Sequence, residues 1–143
     1  MSTAQKLYEA GLITYMRTDG IEMASEGIAS ARKQIASSMG EDFLPEKPRV
    51  FKNKAKNAQE AHECIRPTDF SQTPEKAKTL NKSELDLYTL IWRRALASQS
   101  RAAEVLQTTV LISSSCSSAQ FRLSGQVVTF EGHLKIFQAA KKE

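Results

Sequence analysis

The sequence predicts a mainly α domain over residues 1–101, followed by a partial antiparallel β segment over residues 102–143. Two features carry this reading. Apolar residues recur at steps of three and four through the first hundred residues, and after Arg101 the pattern changes to β-branched and alternating residues punctuated by glycine. Residues Ala4 to Ala10 read as the end of a helix that Gly11 stops, and Leu12 to Met16 as a short strand or extended segment ending in the turn chemistry of Thr18-Asp19-Gly20. Ile28, Ala31, Ile35 and Met39 define one face of a second helix, with Ser25 as its cap and Gly40 as its end. Residues Glu41 to Lys56 contain Pro45 and Pro48 and five basic residues from Lys47 to Lys56, and read as a long exposed connection. Asn57 with Glu60 looks like a capping pair, opening a short helix that must end near Arg66 because Pro67 disfavours helical geometry before it. That helix would put His62 and Arg66 on one face. Thr73-Pro74 suggests another helix start, and Asn81 with Glu84 opens the longest amphipathic helix, whose stripe is Leu85, Tyr88, Ile91, Trp92, Ala95, Leu96 and Gln99. Beyond it, Thr108 to Ile112, Phe121 to Leu123, Val127 to Phe130 and Leu134 to Phe137 read as strands of a meander with turns at Gly125 and Gly132, and Ser113 to Ser118 as a polar connector. Three or four strands seldom close a core alone, so this segment is expected to belong to a larger sheet.

Composition narrows the class. The chain has 143 residues, 41% hydrophobic and 25% charged, which suits a globular domain with a real core. No apolar run approaches the roughly 20 residues needed to span a bilayer, and the first residues lack the apolar stretch of a secretory signal, so no membrane partner and a cytoplasmic location are expected. The two cysteines, Cys64 and Cys116, are far apart and form no disulfide framework or zinc motif. Net charge is +4, a weak pointer to nucleic acid by itself.

Two stretches carry chemistry. In Leu12-Ile13-Thr14-Tyr15-Met16-Arg17-Thr18-Asp19, a phenol stands two residues from a guanidinium. In a strand, residues two apart share a face, so Tyr15 and Arg17 could meet one phosphate, the arginine favouring phenolate and gripping phosphate oxygens. The alternative is an ordinary strand aromatic with Arg17 at the rim. In Glu60-Ala61-His62-Glu63-Cys64-Ile65-Arg66-Pro67-Thr68, His62 could hydrogen-bond a phosphate, or be a structural histidine, and Arg66 could contact a nucleic-acid backbone, or pair with Glu60, Glu63 or Asp69. Asp19 could orient Arg17. The Trp92 stripe reads as core. No Walker motif, glycine-rich phosphate loop or Asp-x-Asp pair is present.

These two stretches in this order resemble the bacterial type IA DNA topoisomerases, and the resemblance extends from Ala4-Gln5-Lys6-Leu7-Tyr8-Glu9 through Leu90-Ile91-Trp92-Arg93 to the closing strands. Met16 between Tyr15 and Arg17 is similar to the topoisomerase I branch. The resemblance implies that Tyr15 attacks one DNA strand and becomes linked to its 5′ phosphate. Another strand passes the gap, and the freed 3′ hydroxyl reseals the break without ATP. It implies catalytic roles for Tyr15 and Arg17, DNA contacts from Arg17, His62 and Arg66, a winged-helix-like tyrosine domain, and strands that belong to the enzyme's arch. It further implies that the whole enzyme uses Mg²⁺ held by an N-terminal Toprim domain absent here. No metal is expected in this chain, which is read as a central fragment, inactive alone, whose partners are single-stranded DNA and the missing Toprim and C-terminal domains. The family usually has serine where Gly20 stands, so a lost hydroxyl and a looser backbone are expected there. The competing reading is a helical nucleic-acid-binding module without covalent catalysis; a purely structural or interaction module is a third.

Overall fold

The computed structural model describes residues 2–52, 62–116 and 118–138. Helix α1 (Thr3–Glu9) opens on Ser2, whose hydroxyl accepts the Gln5 N–H. It closes by a reciprocal pair of bonds, Leu12 N–H to the Leu7 carbonyl and Gly11 N–H to the Tyr8 carbonyl, with Gly11 at φ 71°. That left-handed turn is the reason for a glycine there, and it reverses the chain directly into the tyrosine motif. Helix α2 (Ser25–Met39) is capped at Ala24 rather than Ser25, and Gly40 at φ 104° ends it as expected.

Helix α3 (Lys82–Ser98) is the spine. Asn81 and Glu84 form the anticipated capping box, each side chain accepting the other's backbone N–H. One side of α3 packs with α1: Leu7, Ile13, Ala77 and Tyr88 form one buried cluster. Another side meets α2, where Ala31, Ile35, Phe70, Ala95 and Leu96 form a second. Trp92 touches both clusters and donates its indole N–H to the Phe70 carbonyl at 3.1 Å, which fixes it as core.

Strands β1 (Glu104–Ser113) and β2 (Gln120–Phe130) form one antiparallel hairpin. The architecture among the described residues is therefore four helices and a two-stranded sheet, where a meander of three or four strands was expected. Gly125 makes no turn; it lies inside β2 opposite Thr108, so the two runs flanking it are one strand. Leu134 to Phe137 is not a strand either. It belongs to helix α4 (Leu134–Gln138), which carries Ile136 back into the α2–α3 cluster. A five-residue helix presents too few residues for sequence spacing to separate the two periods. The hairpin register sorts its residues: Leu106, Val110 and Ile112 stand opposite Val127, Leu123 and Phe121, so six exposed apolar side chains share one face. The other face is mixed: Gln107, Gln126, Thr109, Ser124 and Arg122 stand there with the exposed Val105, Val128 and Leu111.

Three further expectations change. Leu12 to Met16 contains a single bridge pair, not a strand. The start at Thr73-Pro74 yields one 3-10 turn, Pro74–Lys76. The Asn57–Glu60 cap lies outside the described residues, and residues 62–66 are extended or bent rather than helical, so His62 and Arg66 do not share a helix face. The connection after Gly40 is exposed but pinned: Arg32 donates to the Pro45 carbonyl, Arg101 N–H to the Phe43 carbonyl and Gln99 Nε2 to the Arg49 carbonyl. No helix among the described residues is long and apolar enough to cross a membrane.

Candidate functional site

The two sequence motifs lie against each other. Ile13, 1% exposed, is anchored in the α1–α3 cluster and bridges antiparallel to Pro67. On either side, Thr14 N–H donates to the Arg66 carbonyl at 2.9 Å and Thr68 N–H to the Leu12 carbonyl at 3.1 Å. The Thr14 hydroxyl donates to the Cys64 carbonyl at 2.8 Å and accepts the Arg66 N–H at 3.0 Å. The Thr68 hydroxyl reaches the Gly11 carbonyl at 2.6 Å. With Ile13 pinned inward, the chain emerges at Tyr15.

Tyr15 is half-buried, with its ring between two others. The Tyr8 ring meets it edge-on, with centroids 5.5 Å apart, and the His62 imidazole lies tilted at 4.6 Å. The structure therefore unites Tyr15 and His62 from opposite motifs. Arg17 is exposed in a bend beyond the bridge pair. The strand alternation expected to bring Tyr15 and Arg17 to one face does not operate here, because pairing stops before Tyr15.

Arg66 departs from its expected place. It is 3% exposed and directed inward. Its Nε and Nη2 donate to the two oxygens of Glu63, both at 2.8 Å, and Nη1 donates to the Pro67 carbonyl at 2.8 Å. Its guanidinium lies on Gly27 of α2, where an added Cβ would stand 2.5 Å from Nε. Each of its three guanidinium nitrogens is thus engaged within the chain, and Nη2 also stands 3.8 Å from the exposed Glu26 carboxylate. The anticipated alternative of a salt bridge to Glu63 is what forms. Glu63, unassigned from sequence, also accepts the Ala24 N–H at 2.9 Å. Helix α2 has Gly27 three residues after its cap, so it cannot build a capping box of its own; Glu63 supplies the carboxylate from across the chain. The Glu63-x-x-Arg66 spacing was the available signal. Tyr8 was equally legible only as part of a motif, since nothing in the sequence brings it to Tyr15.

The other candidate nucleophiles are set aside by their surroundings. Tyr88 is fully buried, donates to the Gln72 carbonyl at 2.6 Å, and burial pushes its phenol up to about 12. Burial, then Glu63, pushes the Cys64 thiol up, away from the reactive thiolate.

The chain matches the family model for DNA topoisomerase along residues 1–143 and belongs to that family, the bacterial type IA DNA topoisomerases. DNA topoisomerase 1 of Zymomonas mobilis is 49% identical over 138 residues, covering 96% of this chain and 11% of that protein. The Campylobacter jejuni enzyme of the same name is 44% identical, covering 100% of this chain and 21% of its own length. The full-length topoisomerase I structure from Thermotoga maritima superposes with a TM-score of 0.80 at 31% identity, over 95% of this chain and 22% of that one. The chain thus spans between about a tenth and a fifth of the length of these relatives.

Proposed function

We propose that this chain is the catalytic-tyrosine portion of an ATP-independent type IA topoisomerase that relaxes negatively supercoiled DNA. The observation that carries it is the contact between the half-buried Tyr15 ring and His62, made by two motifs pairing across about 50 residues of chain. The Tyr15 oxygen attacks a backbone phosphorus. The P–O bond to the 3′ oxygen breaks, that oxygen leaves as a 3′ hydroxyl, and the 5′ phosphate stays on tyrosine. Resealing reverses both changes, so bond energy is conserved. His62 is placed to donate to the scissile phosphate or move a proton, and the exposed Arg17 to neutralise phosphate charge. We assign Arg66 to holding the His62 segment rather than to DNA. The helical part carries the winged-helix-like unit of residues 1–101. The apolar face of the hairpin continues in the arch, and the protein acts in the cytoplasm on single-stranded DNA.

The described residues bring together no group of three His, Cys, Asp or Glu side chains able to hold a metal ion. We place Mg²⁺ with the Toprim sequence outside this chain and derive no step through it. For the same reason the 143-residue chain alone is expected to leave supercoiled plasmid unrelaxed in a gel assay; relaxation would refute the division of labour.

The direct test uses the full-length protein with labelled single-stranded DNA, trapped with denaturant and digested. Mass spectrometry is expected to find the nucleotide adduct on Tyr15. An adduct on another residue, or tight DNA binding with no adduct, overturns the proposal; the latter returns the binding-module reading.

A further inference from the structure

In the cleavage proposed above the 5′ phosphate stays on Tyr15, so the nucleotides that follow that phosphate are carried by this part of the enzyme. A cleft of about 270 Å³ lies beside the two motifs. Gly20 and Ile21 come to it from the tyrosine loop, Cys64 and Ile65 from the second motif, Arg94 from α3, and Phe51 from the connection after α2. Cys64 is tied to the residue before Tyr15, its carbonyl accepting the Thr14 hydroxyl at 2.8 Å, while its N–H donates to the Glu22 carbonyl at 2.8 Å. The cleft is therefore built on the same pairing that presents Tyr15.

What it can hold follows from its lining. Ile21, Phe51 and Ile65 are 47%, 41% and 38% exposed, so three large apolar side chains stay open to solvent around one small space. That space falls just below the roughly 300–1,000 Å³ of pockets that enclose drug-sized ligands, which suits a single planar ring system. The Phe51 ring has no aromatic partner among the described residues and is free to stack. Arg94 is exposed and joins no ion pair among the described residues, so a lone cation stands at an otherwise apolar cleft. An apolar protein segment would satisfy the ring and leave the cation unanswered. A nucleotide answers both, with a base to stack and a phosphate to pair.

We propose that this cleft holds one unpaired DNA base on the 3′ side of the scissile phosphate, stacked on Phe51, with Arg94 on the adjoining phosphate. This rests on the reading of Tyr15 as nucleophile, which decides the side of the break that the cleft receives. The test uses the full-length protein and a labelled single-stranded oligonucleotide whose cleavage position and protein adduct are mapped first. Affinity is then read in the Tyr15→Phe protein, where no cleavage intervenes, with the base removed at each downstream position in turn. One abasic position is expected to weaken binding on the order of 10-fold, the scale of one base stacked on an aromatic ring. Phe51→Ala should lose a similar factor on the intact strand and less than about twofold more on that abasic strand, because both removals delete one contact. Arg94→Ala should reduce the slope of log affinity against log salt by roughly 0.7, one phosphate contact on a single strand. The proposal is overturned by a scan with no sensitive downstream position, by an equal loss from Phe51→Ala on intact and abasic strands, or by an unchanged salt slope. A lower melting temperature in Phe51→Ala with unchanged DNA affinity also overturns it, and gives the cleft to another segment of the same protein. If Phe51→Ala does not fold, Ile21→Ala from the tyrosine loop takes its place: its loss should likewise be confined to the strand that keeps the base, and an equal loss on both strands, or none, overturns the proposal. If mapping finds no adduct on Tyr15, the nucleophile reading and this proposal fail together; an adduct on Tyr15 with no sensitive base sinks the cleft alone.

Discussion

Tyr15→Phe in the full-length protein is expected to lower trapped covalent DNA complex on the order of 10⁴-fold or more, the scale seen when an enzyme's nucleophile is deleted. The substitution removes one oxygen and keeps the ring. The edge contact with Tyr8 and the tilted contact with His62 are ring contacts, so both survive. Folding should therefore be unaffected, and affinity for single-stranded DNA should fall by no more than a few-fold. Tyr8→Phe is the matched control, because Tyr8 is exposed, packs on Tyr15 through its ring, and is assigned no bond to phosphate. It should cleave at near wild-type level. The pair separates the two readings of this site. A binding module that recognises DNA through stacked aromatics would respond to both substitutions weakly and alike. A covalent enzyme responds to one and not the other. Cleavage retained in Tyr15→Phe would end the assignment.

How legible the site was depended on which physical signal each residue carries. The long helix, its Asn81–Glu84 box and its apolar stripe are local features, and local spacing was enough to find them. Gly11 and Gly40 likewise mark helix ends that a left-handed residue closes. The strands of the hairpin are legible in the sequence, but Gly125 looks like a turn there, because a glycine reads as punctuation unless the partner strand is known. In the site, the two motifs were visible separately, while their pairing was not. The Ile13–Pro67 bridge depends on Leu7, Ile13 and Tyr88 packing together, a non-local event. Spacing suggested that Arg17 accompanies Tyr15 through strand alternation, but the closest ring is His62, delivered by the other motif. Arg66 shows the limit most clearly. Its charge and its place in a DNA-enzyme motif suggested an outward contact, whereas its environment is set by Gly27, a residue about 40 positions earlier with no side chain to signal anything.

Arg66→Ala is accordingly expected to act on stability first. Removing one partner of a buried, hydrogen-bonded ion pair costs about 3–5 kcal/mol. Glu63 keeps 27% of its side chain exposed, so solvent recovers part of that loss and the lower end, about 3 kcal/mol, is expected. At roughly 2–4 °C per kcal/mol for a domain of this size, the melting temperature should drop by about 6–12 °C. The loss has four parts: the two bonds to Glu63, the weaker ion pair with the exposed Glu26, the bond that satisfies the Pro67 carbonyl, and the void left above Gly27. Cleavage should fall as well, because the freed Glu63 no longer holds the His62 segment to the start of α2. Arg66→Lys keeps a cation but cannot make the two-pronged contact, and should recover only a minor share of the stability. A DNA-contact role makes the opposite prediction. Losing one phosphate contact would leave the melting temperature unchanged, weaken DNA binding at low salt, and reduce the slope of log affinity against log salt by roughly 1. Measuring melting temperature and salt slope on the same variant decides between the two. An unshifted melting temperature with a reduced slope would mean that the inward clamp opens when DNA binds.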